Sequence, residues 1–254
     1  MNILVNGICG FMGREVAKLC SAGYRGVESC LGADPTAEGV LGYEVYPSLC
    51  DVPSDKKIDC IVDFSHHGAT FELLSYAEEH KIPTVLATTG HTDEEIFAIK
   101  ETAKRIPLFF SANMSLGVAL LVELAKSAVM AMPEADIEIV EKHHNRKIDA
   151  PSGTALMLAN ALCEVREDAY VKTGRCGQGK REPSEIGIHA VRLGNIVGEH
   201  EVIIGTQNQT ITLKHEAHSR ALFAEGALAA AEFIKDKPAG LYDMKSLVKG
   251  KPAE

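Results

Sequence analysis

The chain has 254 residues, 46% of them hydrophobic and 24% charged, with a formal net charge of -9 at pH 7; this composition describes an ordinary globular protein of one large or two modest domains. The acidic balance argues against non-specific binding to nucleic acid or to an anionic membrane, since both need a basic face. The longest uncharged run, Ile106 to Val122, is short for a membrane span, and Met1-Asn2-Ile3-Leu4-Val5 passes straight into a strand pattern with no basic region or cleavage site, so the expected location is the cytoplasm.

Along the first hundred residues, short β-rich runs alternate with helical spacing, the order that a parallel α/β sheet requires. Asn2 to Asn6 reads as the opening strand, Gly13 to Ala22 as a helix and Val27 to Ala33 as a second strand. Strands at Ile58 to Phe64, Thr84 to Ala87 and Leu108 to Ser111 follow, with helices at Thr70 to His80 and Thr92 to Arg105 between them. The latter helix opens on Thr92 as N-cap, with Glu95 as its capping-box partner. The pattern changes from Asp136. Asp136 to Glu141 alternates, a helix spans Ala155 to Val165, and strands are expected at Ile186 to Leu193, Glu199 to Gly205 and Gln209 to His215, which makes a second sheet of α+β type. Lys172 to Pro183, rich in glycine and basic residues and without periodicity, reads as a mobile loop near the site. Alanine-rich Ala221 to Lys235 is a strongly helical pattern that returns the chain to the first domain.

Two segments carry chemistry. The first, Asn6-Gly7-Ile8-Cys9-Gly10-Phe11-Met12-Gly13-Arg14, lies between the first strand and the first helix with its glycines spaced G-x-x-G-x-x-G. Glycine permits the tight turn and the close approach of backbone amides to a pyrophosphate seated on the positive end of a helix. Asp34 ends the second strand, where a carboxylate can accept hydrogen bonds from an adenosine ribose; the alternative is a turn residue before Pro35. A carboxylate there repels a 2'-phosphate, and no lysine or arginine follows until Lys56, so the reading leans to NADH over NADPH, although Arg14 suits a phosphate. The loops Ala87-Thr88-Thr89-Gly90-His91-Thr92 and Ser111-Ala112-Asn113-Met114-Ser115 fall at strand C-terminal ends, the edge where open α/β sheets bind ligands. The adjacent His66 and His67, at a third such edge, read as solvated surface.

The second segment runs from Glu141 to Thr154 as EKHHNRKIDAPSGT, ahead of a helix start. His143 and His144 titrate near neutrality, Lys147 adds a fixed cation or second proton donor, and Ser152, Gly153 and Thr154 offer hydroxyls and free backbone N–H groups that suit a carboxylate. The guest is expected to be a small anion. The seven cysteines are scattered and show no CxxC pair, so neither a disulfide framework nor a zinc site is expected. Most read as small buried hydrophobes; Cys176, in a basic glycine-rich segment, is the one whose surroundings suit a reactive thiol, but without partner spacing the unreactive reading is preferred there.

These segments, with DFSHHGAT, TTG, SANMSLGV, EIGIHAVRLGNIVGEH, HEAHSR and a terminal GLYDM, resemble the 4-hydroxy-tetrahydrodipicolinate reductase (dihydrodipicolinate reductase) family over nearly the whole length. The resemblance implies NAD(P)H-dependent reduction of a cyclic unsaturated dicarboxylate in the diaminopimelate route to lysine. It implies His143 as acid, Lys147 as second proton donor, and His144, Gly153 and Thr154 at the substrate, with Ser152 beside them. Cofactor contacts are expected at Gly7, Ile8, Cys9, Gly10, Phe11, Met12 and Gly13, at Asp34, at Ala87, Thr88 and Thr89, and at Ser111, Ala112, Asn113 and Met114. A Rossmann-type domain is expected from residues 1–114 and 220–254, with helices on both faces of its parallel sheet. Residues 115–219 are expected to form a second α+β domain with an open mixed sheet, binding substrate and building a homotetramer. Three departures stand out: Phe11 replaces a basic residue, Ala87 replaces a glycine, and the 175–181 loop is slightly short.

The chemistry agrees with the residues, because hydride addition to a conjugated C=C–C=N system leaves negative charge that a proton must quench. A dehydrogenase of another small acid would share the nucleotide half but has no need of the HHxxKxDAPSGT array. A metal enzyme could draw on His143, His144, Asp149, His189 and His200, yet these lack helical ligand spacing and Lys147 would oppose a cation, so no metal is expected. A non-catalytic NAD-binding sensor would fit the fold without needing acid, cation and anion-binding turn together.

Overall fold

The computed structural model describes residues 1–36 and 42–250, and the chain divides into two units, Met1–Leu116 with the segment from Ala221, and Gly117–Arg220. The first unit opens with β1 (Asn2–Asn6), α1 (Phe11–Ser21), β2 (Ser29–Ala33), β3 (Glu44–Tyr46) and β4 (Cys60–Asp63). It continues through α2 (Thr70–His80), β5 (Thr84–Leu86), α3 (Asp93–Ala103) and β6 (Pro107–Phe110). The second unit holds α4 (Leu116–Ala131, its first residue in the first unit), β7 (Asp136–His143), α5 (Gly153–Cys163), β8 (Tyr170–Thr173), β9 (Glu185–Arg192), β10 (Gly198–Gly205) and β11 (Thr210–Ala217). The chain then returns to the first unit as α6 (Ala221–Ile234), β12 (Gly240–Tyr242) and α7 (Met244–Lys249).

The first unit is a seven-stranded sheet in the order β12-β6-β5-β4-β1-β2-β3, with every neighbouring pair parallel. Strands covered on both faces carry continuous apolar runs rather than alternation, and β4 is buried at all four positions. From β1 the order runs outward in both directions, so the crevice for a ligand lies beyond the C-terminal ends of β1 and β4. The helix α2 has the expected bounds, and α3 is capped by Thr92, whose side chain accepts from the Glu95 amide while Glu95 accepts from the Thr92 amide. Buried small residues of α6, among them Ala224, Gly226, Ala227, Ala230 and Ala231, let that helix lie close against α1 and across β4, β5 and β6.

The second unit is a mixed five-stranded sheet, β11-β10-β7-β9-β8, in which β7 runs parallel to β9 and antiparallel to β10. Here the strands alternate. Ile137 and Ile139 of β7, Ile186 and Ile188 of β9 and Val202 and Ile204 of β10 form one face, packed with Leu121, Ala125, Leu158 and Leu162 of α4 and α5. The other face carries charge: Lys142 pairs with Glu199 and Glu201 at 3.1 and 3.2 Å, and Lys214 with Glu199 at 3.0 Å. From Gly174 to Pro183 the chain is a loop, as expected, but its two ends are tied to the sheet. Lys172 and Thr173 belong to β8, which adds parallel to β9, and Arg181 donates to Glu138, Asp136 and the Ile137 carbonyl, so the segment is stapled to the sheet. An arginine that is mostly buried with several acceptors fixes the backbone around it.

Gly226 tests the packing. A helical glycine replaced by alanine normally gains stability, but a methyl group at 226 would collide with the Met114 carbonyl oxygen. Gly226→Ala is therefore expected to lower the free energy of unfolding by about 1–3 kcal/mol, measured by urea denaturation at pH 7.

Candidate active site

In the first unit, the glycine turn after β1 is built by Gly7, whose φ of 82° lies in the left-handed region that residues with a Cβ avoid. Its amide donates to the Ala33 carbonyl at 2.8 Å. A methyl at Gly13 would collide with the Gly7 carbonyl, so α1 starts as close to β1 as backbone allows. Two open cavities lie along this edge. One, of about 470 Å³, is lined by Gly7, Gly10, Asp34, Pro35, Ser65, His66 and Glu72 among others. The second, of about 540 Å³, is lined by Phe11, Met12, Ser65, His66, Ala87, Thr88, Thr89, Ala112, Met114 and Phe223 among others.

Ten of the fifteen expected cofactor residues therefore line one cavity or the other. Ile8 does not: it is fully buried and its side chain fills the space beside Gly32. The Cys9 amide is already taken, donating to Asp34 Oδ2 at 3.0 Å. Asp34 also accepts from the Thr36 amide and hydroxyl at 2.9 and 2.6 Å; although burial alone would raise its pKa, these donors hold it below the ordinary aspartate value. Ser111 and Asn113 bind one another, Ser111 Oγ donating to the Asn113 carbonyl at 2.8 Å. Beneath both cavities lies Asp63, buried among donors. Its Oδ1 accepts from Asn6 Nδ2 at 2.8 Å and Ser65 Oγ at 2.6 Å, and its Oδ2 from Thr88 Oγ1 at 2.6 Å.

The histidine pair is not simply solvated. His66 is exposed but forms part of both cavity walls, with Nδ1 accepting from the Gly68 amide at 3.1 Å. His67 is half-buried, with Nδ1 3.1 Å from Glu95. Ser65 and His66 lie at the third strand-end edge expected from the sequence, where the histidines read as solvated surface, whereas Phe223 has no local pattern that distinguishes it from other helix-face positions.

In the second unit, the register brings the chemistry together. Glu141 and His143, two apart on β7, share the inner face; His143 is level with Arg192 of β9, and Glu141 with His200 of β10. Glu141 is wholly buried. Its Oε2 is 2.6 Å from His143 Nδ1 and accepts from Arg192 Nη1 at 2.8 Å. Its Oε1 accepts from Arg192 Nη2 at 2.7 Å and the Ser152 amide at 3.0 Å. Burial would raise the Glu141 pKa, but the guanidinium, the imidazole and the Ser152 N–H outweigh it and hold the carboxyl below the usual glutamate range.

Ser152 caps α5, its Oγ accepting from the Ala155 amide at 3.2 Å and lying 3.1 Å from His200 Nε2. His200 stands edge-on to His143 at 5.2 Å between ring centroids. Burial, with His143 adding to it and Glu141 opposing, pushes the His200 pKa down to about 4. The His144 pKa is lowered by desolvation and then by Arg146, Arg220, His143 and Lys147, a concentration of positive charge drawn from the end of β7, the loop after it and Arg220 beyond β11. Lys147 Nζ sits 2.8 Å from Asp149 Oδ1, and the Asp149 pKa is lowered by this lysine, with the Gly153 amide contributing. Gly153 and Thr154 are the first residues of α5. The expected catalytic and substrate residues thus gather at the end of β7, on the loop that follows and at the start of α5, joined by Glu141, Arg192 and His200, which sequence reading had not assigned to the reaction.

The family model described as dihydrodipicolinate reductase, N-terminus, matches residues 1–114, and that described as dihydrodipicolinate reductase, C-terminus, matches residues 117–248. A 4-hydroxy-tetrahydrodipicolinate reductase from Caldanaerobacter subterraneus subsp. tengcongensis is 46% identical over 253 residues, covering 98% of each chain. One from Clostridium novyi is 42% identical over 253 residues, again covering 98% of each chain. Among solved structures, a dipicolinate-bound dihydrodipicolinate reductase from Paenisporosarcina sp. TG-14 superposes with a TM-score of 0.80 at 24% identity, over 96% of this chain and 97% of that one, and so shares its fold.

His200 gives this region a pH signature. Its folded pKa of about 4 lies below the ordinary histidine value of 6.5, so between those pH values the unfolded chain binds a proton that the folded chain refuses. Stability present above pH 6.5 is therefore lost as pH falls toward 4, by about 3 kcal/mol from this residue. Urea unfolding of the wild type at pH 7 and pH 4.5 should show the loss, and His200→Gln should reduce it.

Proposed function

The chain belongs to the dihydrodipicolinate reductase family, and from that membership we propose that it reduces 4-hydroxy-tetrahydrodipicolinate to tetrahydrodipicolinate in lysine synthesis through diaminopimelate, with His143 as the acid. The carrying observation is the second-unit cluster, in which an imidazole, a lysine and a helix start converge. Glu141 touches both His143 and the Ser152 amide, so proton donor and turn are neighbours. An internal carboxylate supports this reading: Asp149 lies 2.8 Å from Lys147, and that lysine, with the Gly153 amide contributing, lowers its pKa. A substrate with two carboxylates asks for this combination of cation and N–H donors.

When bound, the reduced nicotinamide supplies a hydride. The ring that accepts it gains two electrons and needs one proton, and the substrate hydroxyl leaves as water in the net reaction. His143 gives that proton. Lys147 neutralises a carboxylate and serves as a second proton source, while His144, Ser152, Gly153 and Thr154 hold the carboxylates. A neutral His200 cannot compete with His143 for the charge.

The first unit fits a dinucleotide, because Gly7 and Gly13 leave no room for a Cβ and open the backbone at the head of α1. Gly7, Gly10 and Asp34 would hold its adenosine and pyrophosphate end, and Met12, Thr88, Thr89, Ala112 and Met114 its nicotinamide end. Residues 1–114 and 220–254 serve as the dinucleotide domain, and residues 115–219 as the substrate and assembly domain. NADH is the preferred form. The cavity beside Asp34 also contains Glu72, and among the described residues lining it none is lysine or arginine, a setting that repels a 2'-phosphate.

Assembly as a homotetramer through the outer face of the second sheet is part of the same reading. That face presents ion-paired Lys142, Glu199, Glu201 and Lys214 with partly exposed Val140, Ile203 and Val191, so it can be covered without stranding a charge. The place of work is the cytoplasm, where the nicotinamide pool is found; among the described residues no helix is long and apolar enough to cross a membrane.

The test is to follow oxidation of NADH and of NADPH by the purified protein, with substrate made in place from pyruvate and aspartate semialdehyde by the preceding synthase. Turnover is expected with a kcat/KM about tenfold higher for NADH. His143→Ala and Lys147→Ala are each expected to cut kcat about 100- to 10,000-fold. Neither cofactor being oxidised by a folded protein with substrate present would overturn the assignment.

A further inference from the structure

The reaction as assigned leaves the most buried charge of the second unit without a task. Glu141 is sealed from solvent, and its two oxygens meet four donors: His143 Nδ1, both Arg192 terminal nitrogens and the Ser152 amide. Stability is a poor reason to keep it, because apolar side chains of similar volume often do as well as a buried ion pair. Its geometry constrains two functional groups at once.

We propose that Glu141 is a positioning residue of the reduction: one carboxylate oxygen holds the Nδ1–H of His143 inward, making Nε2 the proton-delivering atom, while the other fixes the Ser152 amide at the head of the carboxylate-binding turn. The inference rests on the reductase reading above. An imidazole has two nitrogens, and which of them faces a substrate is decided by the partner of the other. With Nδ1 held at 2.6 Å, only Nε2 is left to reach outward. The chain keeps that side open, since a methyl at Gly198 of β10 would stand 3.1 Å from His143 Nε2. Gly198 has no positive φ, so space, not backbone conformation, is what glycine supplies there.

Arg192 completes the device. It pairs with both Glu141 oxygens and also donates to the Asp149 carbonyl at 2.6 Å, so the strand that balances the carboxylate also grips the loop carrying Lys147. Glu141 and Arg192 together are neutral. Loss of the His143 proton therefore leaves neither Glu141 nor Arg192 without a counter-charge. In the proton step the N–H bond at Nε2 breaks, a C–H bond forms on the ring carbon that holds the electron pair left by hydride addition, and the imidazole is left neutral with Nδ1–H still on Glu141. No electrons pass to or from the protein.

The test compares steady-state NADH oxidation in H2O and D2O by wild type, Glu141→Asp, Glu141→Gln and the paired change Glu141→Gln with Arg192→Met. Glutamine alone strands the Arg192 charge, whereas the paired variant removes both charges. Each folded variant should lose about 10- to 100-fold in kcat, more than any rise in KM, and should show a larger solvent isotope effect than wild type because proton delivery becomes the slow step. A folded variant with wild-type kcat, or a loss of kcat with an unchanged solvent isotope effect, would overturn the proposal. Failure of both Glu141→Asp and the paired variant to fold would make Glu141 a structural residue and overturn it as well. Turnover that His143→Ala abolishes but the Glu141 variants keep would sink this inference alone, while a wild type without turnover would sink the reductase reading together with it.

Discussion

A carboxylate shut away from water has to be met by donors on its lone pairs, and both units of this chain are organised around that demand. In the first unit the carboxylate is Asp63, at the end of β4. Its donors come from Asn6 at the end of β1, from Ser65 in its own loop and from Thr88 after β5. One side chain thus ties together the loops of three adjacent strands. In the second unit Glu141 draws donors from β7, from β9 and from the cap of α5. The loops that make the cavity walls and the anion-binding turn are the loops these two acids hold.

The two sheets reach this result by opposite routes. A parallel sheet delivers every strand end to the same edge, so a single topology gathers Gly7, Ser65, Thr88 and Met114, and Asp63 then ties the loops of the first three together. The mixed sheet cannot do that. It uses register instead, setting His143 beside Arg192 and Glu141 beside His200, with inner positions switching from Ile137 and Ile139 to Glu141 and His143 along a single strand. The polar cluster is the continuation of the apolar core by residues of another kind.

Local pattern carried the elements and left out the pairings. The Thr92–Glu95 capping box, the alternation of β7 and the continuous apolar run of β4 follow from residue order alone, because each depends on neighbours within a few positions. Three short strands were not foreseen. Glu44–Tyr46, Tyr170–Thr173 and Gly240–Tyr242 lie at sheet edges and span three or four residues, too few for a periodicity to register. The EKHHNRKIDAPSGT segment declared its histidines and lysine because they are contiguous. Arg192 stands 51 residues from Glu141 and reads as an ordinary strand-end cation until the register aligns them. A glycine motif marks the whole turn, but the burial of Ile8 and the bond from the Cys9 amide to Asp34 depend on where Asp34 closes.

The return of the chain through α6 bears on the order in which a growing polypeptide becomes protein. The helix α6 lies against α1 and across β4, β5 and β6, and β12 pairs with β6. The parallel sheet begun by β1 therefore lacks a covering layer and an edge strand until residues 221–242 emerge from the ribosome. The second unit, Gly117–Arg220, is continuous in sequence and is all available before that point. Synthesis thus places the later-made sheet ahead of the earlier one in completion, and the apolar residues of β4, β5 and β6 must wait exposed or shielded by a chaperone for about ten seconds at ordinary elongation rates.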